Sequence, residues 1–340
     1  MKSSRGILLA ASMTAVFVSA APASAETIAE FYKAKNLVIM LGQPPGGSYD
    51  LYARLAAEHM RKHIPGNPTI IVQHKPGGGG VVATNFFYSN APRDGSMIAL
   101  FPETIAHTQL MDPKMGRWKT EEMPYIGSFA PVNAAFVVRA GAKAQTPEAL
   151  KSAETVVGCT GKTSQSYQYP ALMKAIGGMK LKLICGYKGS KAYVLAMERG
   201  EVDMVSSAWN SWRSSGKSLL DSGKMKVIMQ AGLKRDKELP NIPLMQEVVT
   251  DANAKQIIEF VSSGSAIGRA LIAPPQIPAD KLKVLREAFE KTVKDKEFLD
   301  NAAKRAAVID PSTGEEMNKV TAEILKTPKG VVEAAAKAMK

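Results

Sequence analysis

The sequence has few of the residues from which catalytic and metal centres are built. Its 340 residues include only 2 cysteines and 4 histidines, and no Gly-x-Ser-x-Gly elbow or paired carboxylates stand out. His59 and His63 lie one helical turn apart, but Met60 stands where a zincin motif requires glutamate. The sequence therefore favours no enzyme, and we expect neither a metal nor a cofactor.

Long hydrophobic runs are also scarce, and the one present lies at the N-terminus. Lys2 and Arg5 form a basic start, Ile7 to Val18 is apolar, and Ala23-Ser24-Ala25 is a small-residue cleavage site. This pattern is typical of a secretory signal peptide, and the run is short for a membrane span. We expect residues 1–25 to be cleaved after Ala25 and the mature chain to be soluble and periplasmic.

The two cysteines then enter an oxidising compartment. Cys159 and Cys185 each end an apolar, strand-like run, and one helical segment separates the runs. Neighbouring strands would place the two thiols side by side. A disulfide and two free thiols both remain open.

Acidic residues are outnumbered, with 44 Lys and Arg against 31 Asp and Glu and a net charge of +13. Nucleic acid is the usual partner of a basic chain. Export argues against it here, as does the spread of basic residues over many helices. We expect no nucleic acid, and the charge favours attraction of small anions.

Strands alternate with helices in two successive sets, which predicts two α/β lobes with parallel sheets. A later strand, 267–273, and the helices that follow return to the first lobe, so the chain crosses between lobes twice. We expect the first lobe to comprise residues 26–130 and 255–340, and the second 131–254. The expected strands are 37–41, 69–73, 97–101, 126–130, 135–139, 156–159, 181–185, 202–207, 225–231 and 267–273.

The expected strand 37–41 leads into the stretch Gly42–Leu55, which is predicted to form a glycine loop and the start of a helix, with Ser48 able to cap the helix. Such a junction can hold a carboxylate or phosphate with backbone amides. Asp50 is expected to brace the loop. Similar polar loops follow the other strands, where ligands of open α/β sheets bind; they cover 74–80, 102–104, 158–169, 186–190 and 206–212.

Three features of these loops have competing interpretations. Gly158–Thr163 ends like a nucleotide-binding loop, but Val156 replaces its required first glycine. Trp209 and Trp212 could stack on a planar ligand or pack in a lobe core. Glu103 could accept a hydrogen bond from a ligand ammonium or hydroxyl, or cap its helix; it is also the only plausible general base for a secreted hydrolase or isomerase.

Several blocks resemble one family: Pro45-Gly46-Gly47-Ser48-Tyr49-Asp50 with Ala53-Arg54, Ile64-Pro65-Gly66-Asn67-Pro68, Lys75-Pro76-Gly77 with Gly79-Gly80, Ala91-Pro92-Arg93-Asp94-Gly95, Gly186-Tyr187-Lys188-Gly189-Ser190 and Gly200-Glu201-Val202-Asp203. The chain is similar to the substrate-binding proteins of tripartite tricarboxylate transporters, the Bug-type receptors, over essentially its whole mature length.

The resemblance implies a type II periplasmic binding fold: two α/β lobes, two crossing strands and a cleft that closes on a small organic acid. It also implies delivery of that acid to the permease subunits of a membrane transporter, by a receptor expected to be a monomer. A ligand sensor for a signalling partner is the alternative. The resemblance and the loops together give the expected ligand-binding residues, which are Gly46, Gly47, Ser48, Tyr49, Glu103, Thr104, Ser164, Ser166, Gly189, Ser190, Trp209 and Asn210.

The chain departs from the family at two of its loops. Phe101-Pro102-Glu103-Thr104 stands where small hydroxyl residues are usual, and Trp209-Asn210-Ser211-Trp212 replaces an Asp-Asn-type loop. The identity of the acid therefore stays open.

Overall fold

The structure is a computed structural model that describes residues 26–339. The predicted signal peptide lies outside these residues. None of the helices within 26–339 has the length and apolar character needed to cross a bilayer.

Eleven strands form two sheets within this range. The strands are β1 (Leu37–Leu41), β2 (Ile70–His74), β3 (Met97–Leu100), β4 (Tyr125–Ser128), β5 (Ala134–Arg139), β6 (Thr155–Cys159), β7 (Leu181–Cys185), β8 (Met204–Ala208), β9 (Met225–Ala231), β10 (Ala270–Ile272) and β11 (Ser312–Thr313). One sheet has the order β11-β4-β10-β3-β1-β2 and the other β7-β6-β8-β5-β9. We call the regions built on them the first and second lobe.

Helices cover the sheets and the lobe junction. They are α1 (Ile28–Ala34), α2 (Ser48–His59), α3 (Val81–Asn90), α4 (Ile105–Met111), α5 (Gln165–Ala175), α6 (Ser190–Glu198), α7 (Trp209–Ser215), α8 (Lys217–Asp221), α9 (Ala252–Ser262), α10 (Ala279–Thr292), α11 (Lys296–Lys304), α12 (Gly314–Leu325) and α13 (Lys329–Ala338). Helix α12 begins with a capping box formed by Thr313 and Glu316, which satisfies amides that have no partner within the helix.

Strand β1 shows why its apolar run forms a central strand. Leu37, Ile39 and Leu41 pack into one buried cluster with α2 and α10, whereas Met40 belongs to the cluster on the opposite face. A strand covered on both faces needs apolar side chains in both directions. The strand pairs in parallel with β2 and β3, as the alternation of strands and helices along the chain predicts.

The sheets are mixed, although the sequence predicts parallel ones. Strand β10 is antiparallel to β3 and β4, and β5 is antiparallel to β8 and β9. Each of these strands follows a crossing between lobes, so it enters its sheet from the lobe junction instead of from a covering helix. The two-lobe α/β fold with two crossing segments is confirmed; the boundaries 130/131 and 254/255 stay a prediction.

The two crossing segments lie against each other at the junction. Phe129 N donates to Arg269 O at 2.9 Å, and Arg269 N donates to Ala130 O at 3.0 Å. Gly268 has φ +57, and a side chain there would collide with the carbonyl oxygen of Ala130. The close approach of the two backbones therefore requires glycine at this position.

Two loops of the sequence prediction are partly helical. The sequence predicts a polar loop over residues 158–169, but α5 begins at Gln165 and includes Pro170. Residues 209–212 belong to α7, which follows β8 directly. Packing outweighs the local loop signal here, since Tyr169 and Trp212 are both buried.

The disulfide hypothesis is confirmed. Parallel pairing of β6 with β7 places Cys159 opposite Cys185, with their Cα atoms 4.3 Å apart, and the two sulfurs are bonded. The bond joins the ends of two strands from which polar loops lead into the cleft.

Candidate functional site

The glycine loop after β1 is held by Asp50. Gly46, with φ +91, donates its amide to Asp50 Oδ2 at 3.0 Å. Arg54 and His74 contact the same carboxylate at 3.0 Å each. Burial works against the charged form of Asp50, but the bonds from Arg54 and Gly46 outweigh it and lower the pKa of this carboxyl. Asp50 therefore braces the loop and leaves Gly47 and Ser48 facing the cleft.

A cavity of about 70 Å³ lies between the lobes, where the loops after the strands converge. Backbone, hydroxyl and lysine groups dominate its polar lining. The first lobe contributes Gln43, Pro44, Pro45, Gly47, Ser48, Tyr49, Pro102 and Glu103; the second contributes Thr160, Ser164, Gln165, Ser166, Lys188, Gly189, Ser190, Lys191, Tyr193, Ser207 and Ser211.

Direct hydrogen bonds join the lobes around this cavity. Asn210 Nδ2 donates to the Tyr52 hydroxyl at 2.8 Å, and Ser211 Oγ donates to Ser48 Oγ at 3.2 Å. Across another part of the junction, Thr104 Oγ1 donates to Thr163 O at 2.8 Å. Thr163 also donates its hydroxyl to the carbonyl of Gly78.

The hydroxyls of the second lobe form a connected group. Thr160 Oγ1 donates to Ser164 Oγ at 2.8 Å, and the Oγ atoms of Ser164 and Ser166 lie 2.8 Å apart. Tyr193 and Ser207 are hydrogen-bonded to each other deeper in the site. Burial raises the pKa of Tyr193 to about 12, so its hydroxyl stays protonated at neutral pH. These groups can rotate to donate to an anion or to accept from a ligand hydroxyl.

Glu103 is the acidic residue among those that line the cavity, and its carboxylate already accepts hydrogen bonds from other side chains of the protein. Its Oε2 accepts from the Tyr49 hydroxyl at 2.5 Å and from Arg269 Nη1 at 3.0 Å. The Gln165 amide completes the set when its nitrogen faces Glu103 Oε1 at 3.0 Å and its oxygen accepts from Ala208 N at 2.9 Å. Glu103 and Arg269 are fully or almost fully buried, so each neutralises a charge that would be costly alone.

Tyr49 is bound on both its edge and its face. Its hydroxyl donates to Glu103, and the Arg269 guanidinium lies 4.0 Å from the centre of its ring. Burial raises the pKa of Tyr49 well above its usual value; Arg269 opposes that rise and Glu103 adds to it. The hydroxyl is therefore a committed donor to Glu103, and toward the cavity it can only accept.

Two lysines give the cavity mouth a positive charge. Lys188 and Lys191 are exposed, and neither forms an ion pair with any residue in 26–339. Lys191 lies beside the first-lobe loop, since a side chain at Gly46 would begin 2.8 Å from its Cε atom. With the charges of Glu103 and Arg269 paired, these ammonium groups leave the site net positive.

The structure brings eight of the twelve expected ligand-binding residues to the cavity wall: Gly47, Ser48, Tyr49, Glu103, Ser164, Ser166, Gly189 and Ser190. Gly46 lies just behind the wall, against Lys191. Thr104 and Asn210 face the lobe junction, where they bond to Thr163 and Tyr52. Trp209 donates its Nε1 to Glu238 Oε2 at 2.6 Å and does not line the cavity.

Sequence reasoning missed Lys188, Lys191, Tyr193, Ser207 and Arg269. Lys188 lies inside a loop that it singled out, and Lys191 immediately follows that loop. Arg269 precedes a short strand and has no local signal, because its partner Glu103 is distant along the chain.

One group outside the cleft has the ligand types of a metal site. His59, Asp295 and Glu297 offer atoms that all lie within 4.8 Å of one another. Lys62 Nζ lies 2.9 Å from each of the two carboxylates, so an ammonium already contacts both of them and offsets part of their charge.

Comparisons with known proteins agree with this architecture. Residues 52–336 match the family described as the tripartite tricarboxylate transporter family receptor. A Cupriavidus necator protein, described as the UPF0065 protein in the gbd 5′ region, is 23% identical over 333 residues, covering 96% of this chain and 94% of its own.

Solved structures share the fold. The periplasmic binding protein BugD superposes with a TM-score of 0.71 at 21% identity, covering 89% of this chain and 97% of its own. MatC from Rhodopseudomonas palustris with bound malate superposes with a TM-score of 0.69 at 17% identity, covering 88% of this chain and 99% of its own.

The family consists of binding receptors and not enzymes. On the match over residues 52–336, the chain belongs to the tripartite tricarboxylate transporter receptor family.

Proposed function

We propose that this receptor captures a small organic acid in the cavity between its lobes and delivers it to the permease subunits of a tripartite transporter. The observation that carries the proposal is the cavity lining. Hydroxyl and backbone groups come from both lobes, and the one carboxylate among the lining residues, that of Glu103, is already paired with Arg269.

The charge balance supports an anionic ligand. Glu103 and Arg269 cancel, whereas Lys188 and Lys191 have no acidic partner within residues 26–339. A carboxylate entering the site would meet two ammonium groups and several hydroxyl donors. Charge-assisted hydrogen bonds of this kind are about twice as strong as neutral ones. A small volume and the malate bound to MatC further favour a small acid.

Because both lobes contribute residues to the cavity wall, a bound ligand should favour the closed arrangement of the lobes. A ligand that contacts Ser48 on one side and Ser190 on the other binds the closed arrangement better than an open one. Such differential affinity shifts the population toward the closed form. The permease would then recognise the surface that closure creates.

A thermal-shift screen tests ligand capture. Malate, succinate, adipate, citrate, nicotinate and glutamate are each compared with the corresponding amide. An acid present at one hundred times its Kd adds about 2.7 kcal/mol to the stability of the native state, which raises the melting temperature by several degrees. The amides serve as controls for neutral binding. Equal shifts from acids and amides, or a shift from neither, would contradict the proposal.

Export and delivery need separate measurements. We propose that residues 1–25 are removed after Ala25, that the mature receptor is a monomer and that residues 131–254 form the second lobe. Mass spectrometry of the secreted chain gives its N-terminus, and light scattering gives its mass. Uptake of labelled acid into vesicles that contain the permease should require the receptor. Uptake without the receptor would favour the sensor alternative.

A further inference from the structure

The hydrogen bonds around Ser48 have a fixed direction. Ser48 Oγ accepts from Arg269 Nε at 3.0 Å and from Ser211 Oγ at 3.2 Å. A hydroxyl has two acceptor positions and one hydrogen. Both acceptor positions are filled, so the hydrogen is the part of the Ser48 hydroxyl left to interact with the cavity that Ser48 lines.

Arg269 supplies this direction from the lobe junction. Its backbone is bonded to Phe129 and Ala130 of the other crossing segment, and its side chain is fully buried. Nη1 is bonded to Glu103, while no residue in 26–339 accepts from Nη2. Arg269 does not line the cavity itself, so it acts on a ligand through the lining residues that it contacts, which are Ser48, Tyr49 and Glu103.

We propose that Arg269 is a positioning residue for the ligand: its Nε–H bond makes Ser48 a committed, charge-assisted donor to the ligand carboxylate. Glu103 supports this arrangement because its carboxylate forms an ion pair with the guanidinium, and this pairing allows the charged Arg269 side chain to be buried beside the site. The inference rests on the proposed capture of an acid. It goes beyond that proposal by assigning the preference for carboxylate over amide to a group that never touches the ligand.

Tyr49 presents a hydrogen-bond acceptor to the cavity, in contrast to the donor presented by Ser48. Its hydroxyl hydrogen is bound to Glu103, so Tyr49 offers only acceptor positions to the cavity. A carboxylate is therefore directed to Ser48 and away from Tyr49, whereas a ligand hydroxyl or amine can donate to Tyr49. One buried ion pair thus fixes the direction of both neighbouring groups.

A measurement that needs no ligand tests the effect of Arg269 on position 48. Ser48→Cys and Ser211→Cys place single thiols at two buried cavity positions, of which only the first contacts Arg269. The native cysteines are paired and do not titrate. A nearby guanidinium stabilises a thiolate, so absorbance at 240 nm should give the thiol of the Ser48→Cys variant a pKa at least about one unit below that of the Ser211→Cys variant. An equal or higher pKa for the thiol at position 48 would overturn the proposal.

A binding cycle tests the same effect on the ligand. Removing only Arg269 would strand Glu103, so the pair is removed together as Glu103→Gln/Arg269→Met, alone and combined with Ser48→Ala. The probes are malate and malamide, then the other pairs of the screen for any acid that binds. Pair removal should weaken acid binding about tenfold or more and amide binding less than about threefold. In the Ser48→Ala background its effect should fall below about twofold.

Equal losses for acid and amide, or an undiminished effect without Ser48, would overturn the inference while leaving acid capture intact. If no acid binds the unmodified receptor, the proposed function fails first and the inference with it. Asp203→Asn/Arg139→Met is the matched control, since it removes another ion pair, with an N–O distance of 2.6 Å, away from the cavity. It should leave both affinities unchanged, and a change in the acid-to-amide ratio would contradict the assignment.

Discussion

Replacing Gly79 with alanine should weaken ligand binding by obstructing lobe closure. Gly79 belongs to the glycine loop after β2. A side chain there would begin 2.5 Å from Thr163 Oγ1 and 3.0 Å from Ser164 N, both in the second lobe. The added atom therefore collides with the opposite lobe only when the lobes are together.

Two costs of this substitution can be separated. Gly79 has φ +73, and an alanine in this conformation costs about 1–2 kcal/mol whether the cleft is open or closed. The contact with Thr163 and Ser164 adds about 1–3 kcal/mol, as overpacking generally does, but only to the closed form. The conformational cost cancels in binding, so the dissociation constant should rise about 5- to 150-fold.

Gly223→Ala provides the matched control. Gly223 has φ +70 and no atom within 4 Å of the added position, so it has the conformational cost without the collision. Both variants should melt a few degrees below the unmodified protein in the absence of ligand. Isothermal titration with the acid that gives the largest thermal shift should show weaker binding only for Gly79→Ala. Unchanged affinity in that variant would refute closure through this contact.

Three further predictions concern stability and the tryptophans. Burial lowers the pKa of His107 to about 4, whereas in the unfolded chain the side chain titrates near about 6.5. The contribution of neutral His107 to the free energy of unfolding is therefore complete above about pH 6.5 and falls as the pH drops toward 4. Urea unfolding at pH 4.5 should show a loss of about 2–3 kcal/mol that His107→Gln largely removes, and equal pH dependence in both proteins would argue against it. Replacing Cys159 and Cys185 with serine should cost about 3–4 kcal/mol of unfolding free energy, and dithiothreitol should then have no further effect; a variant as stable as the oxidised protein would contradict this. Trp212→Ala should lower the free energy of unfolding by about 3–5 kcal/mol because the ring is buried. Trp209→Ala, by contrast, should leave the affinities for aromatic and aliphatic acids within about twofold of the unmodified protein. A selective loss of affinity for aromatic acids would restore the stacking interpretation.

The order of strands and helices was largely predictable from sequence because each element has its own local signal. The apolar run Leu37–Leu41 and the glycines after it place β1, the loop and the start of α2 to within a residue, although Gly47 occupies the cap position expected for Ser48. The same reasoning located most of the cavity wall, because loops after parallel strands necessarily lie at one edge of a sheet.

What the sequence could not show depends on long-range packing. Arg269 reaches Glu103 across 166 positions of the chain, and no local pattern indicates that contact. The local pattern around Trp209 and Trp212 fits both stacking and core packing, and only the fold shows that Trp212 donates to Ala135 O at 3.2 Å inside the second lobe. The antiparallel direction of β5 and β10 likewise follows from how the chain crosses between lobes.

The contact between the two crossing segments restricts how the lobes can move. Because Arg269 is bonded through its backbone to Phe129 and Ala130, neither connection can bend far without the other. We therefore expect the two linked connections to act as a single hinge axis, which would suppress twisting of one lobe against the other and make opening a rotation in one direction. Each opening and reclosing should therefore bring the same loop atoms back into register, and the receptor need not search for its bound geometry.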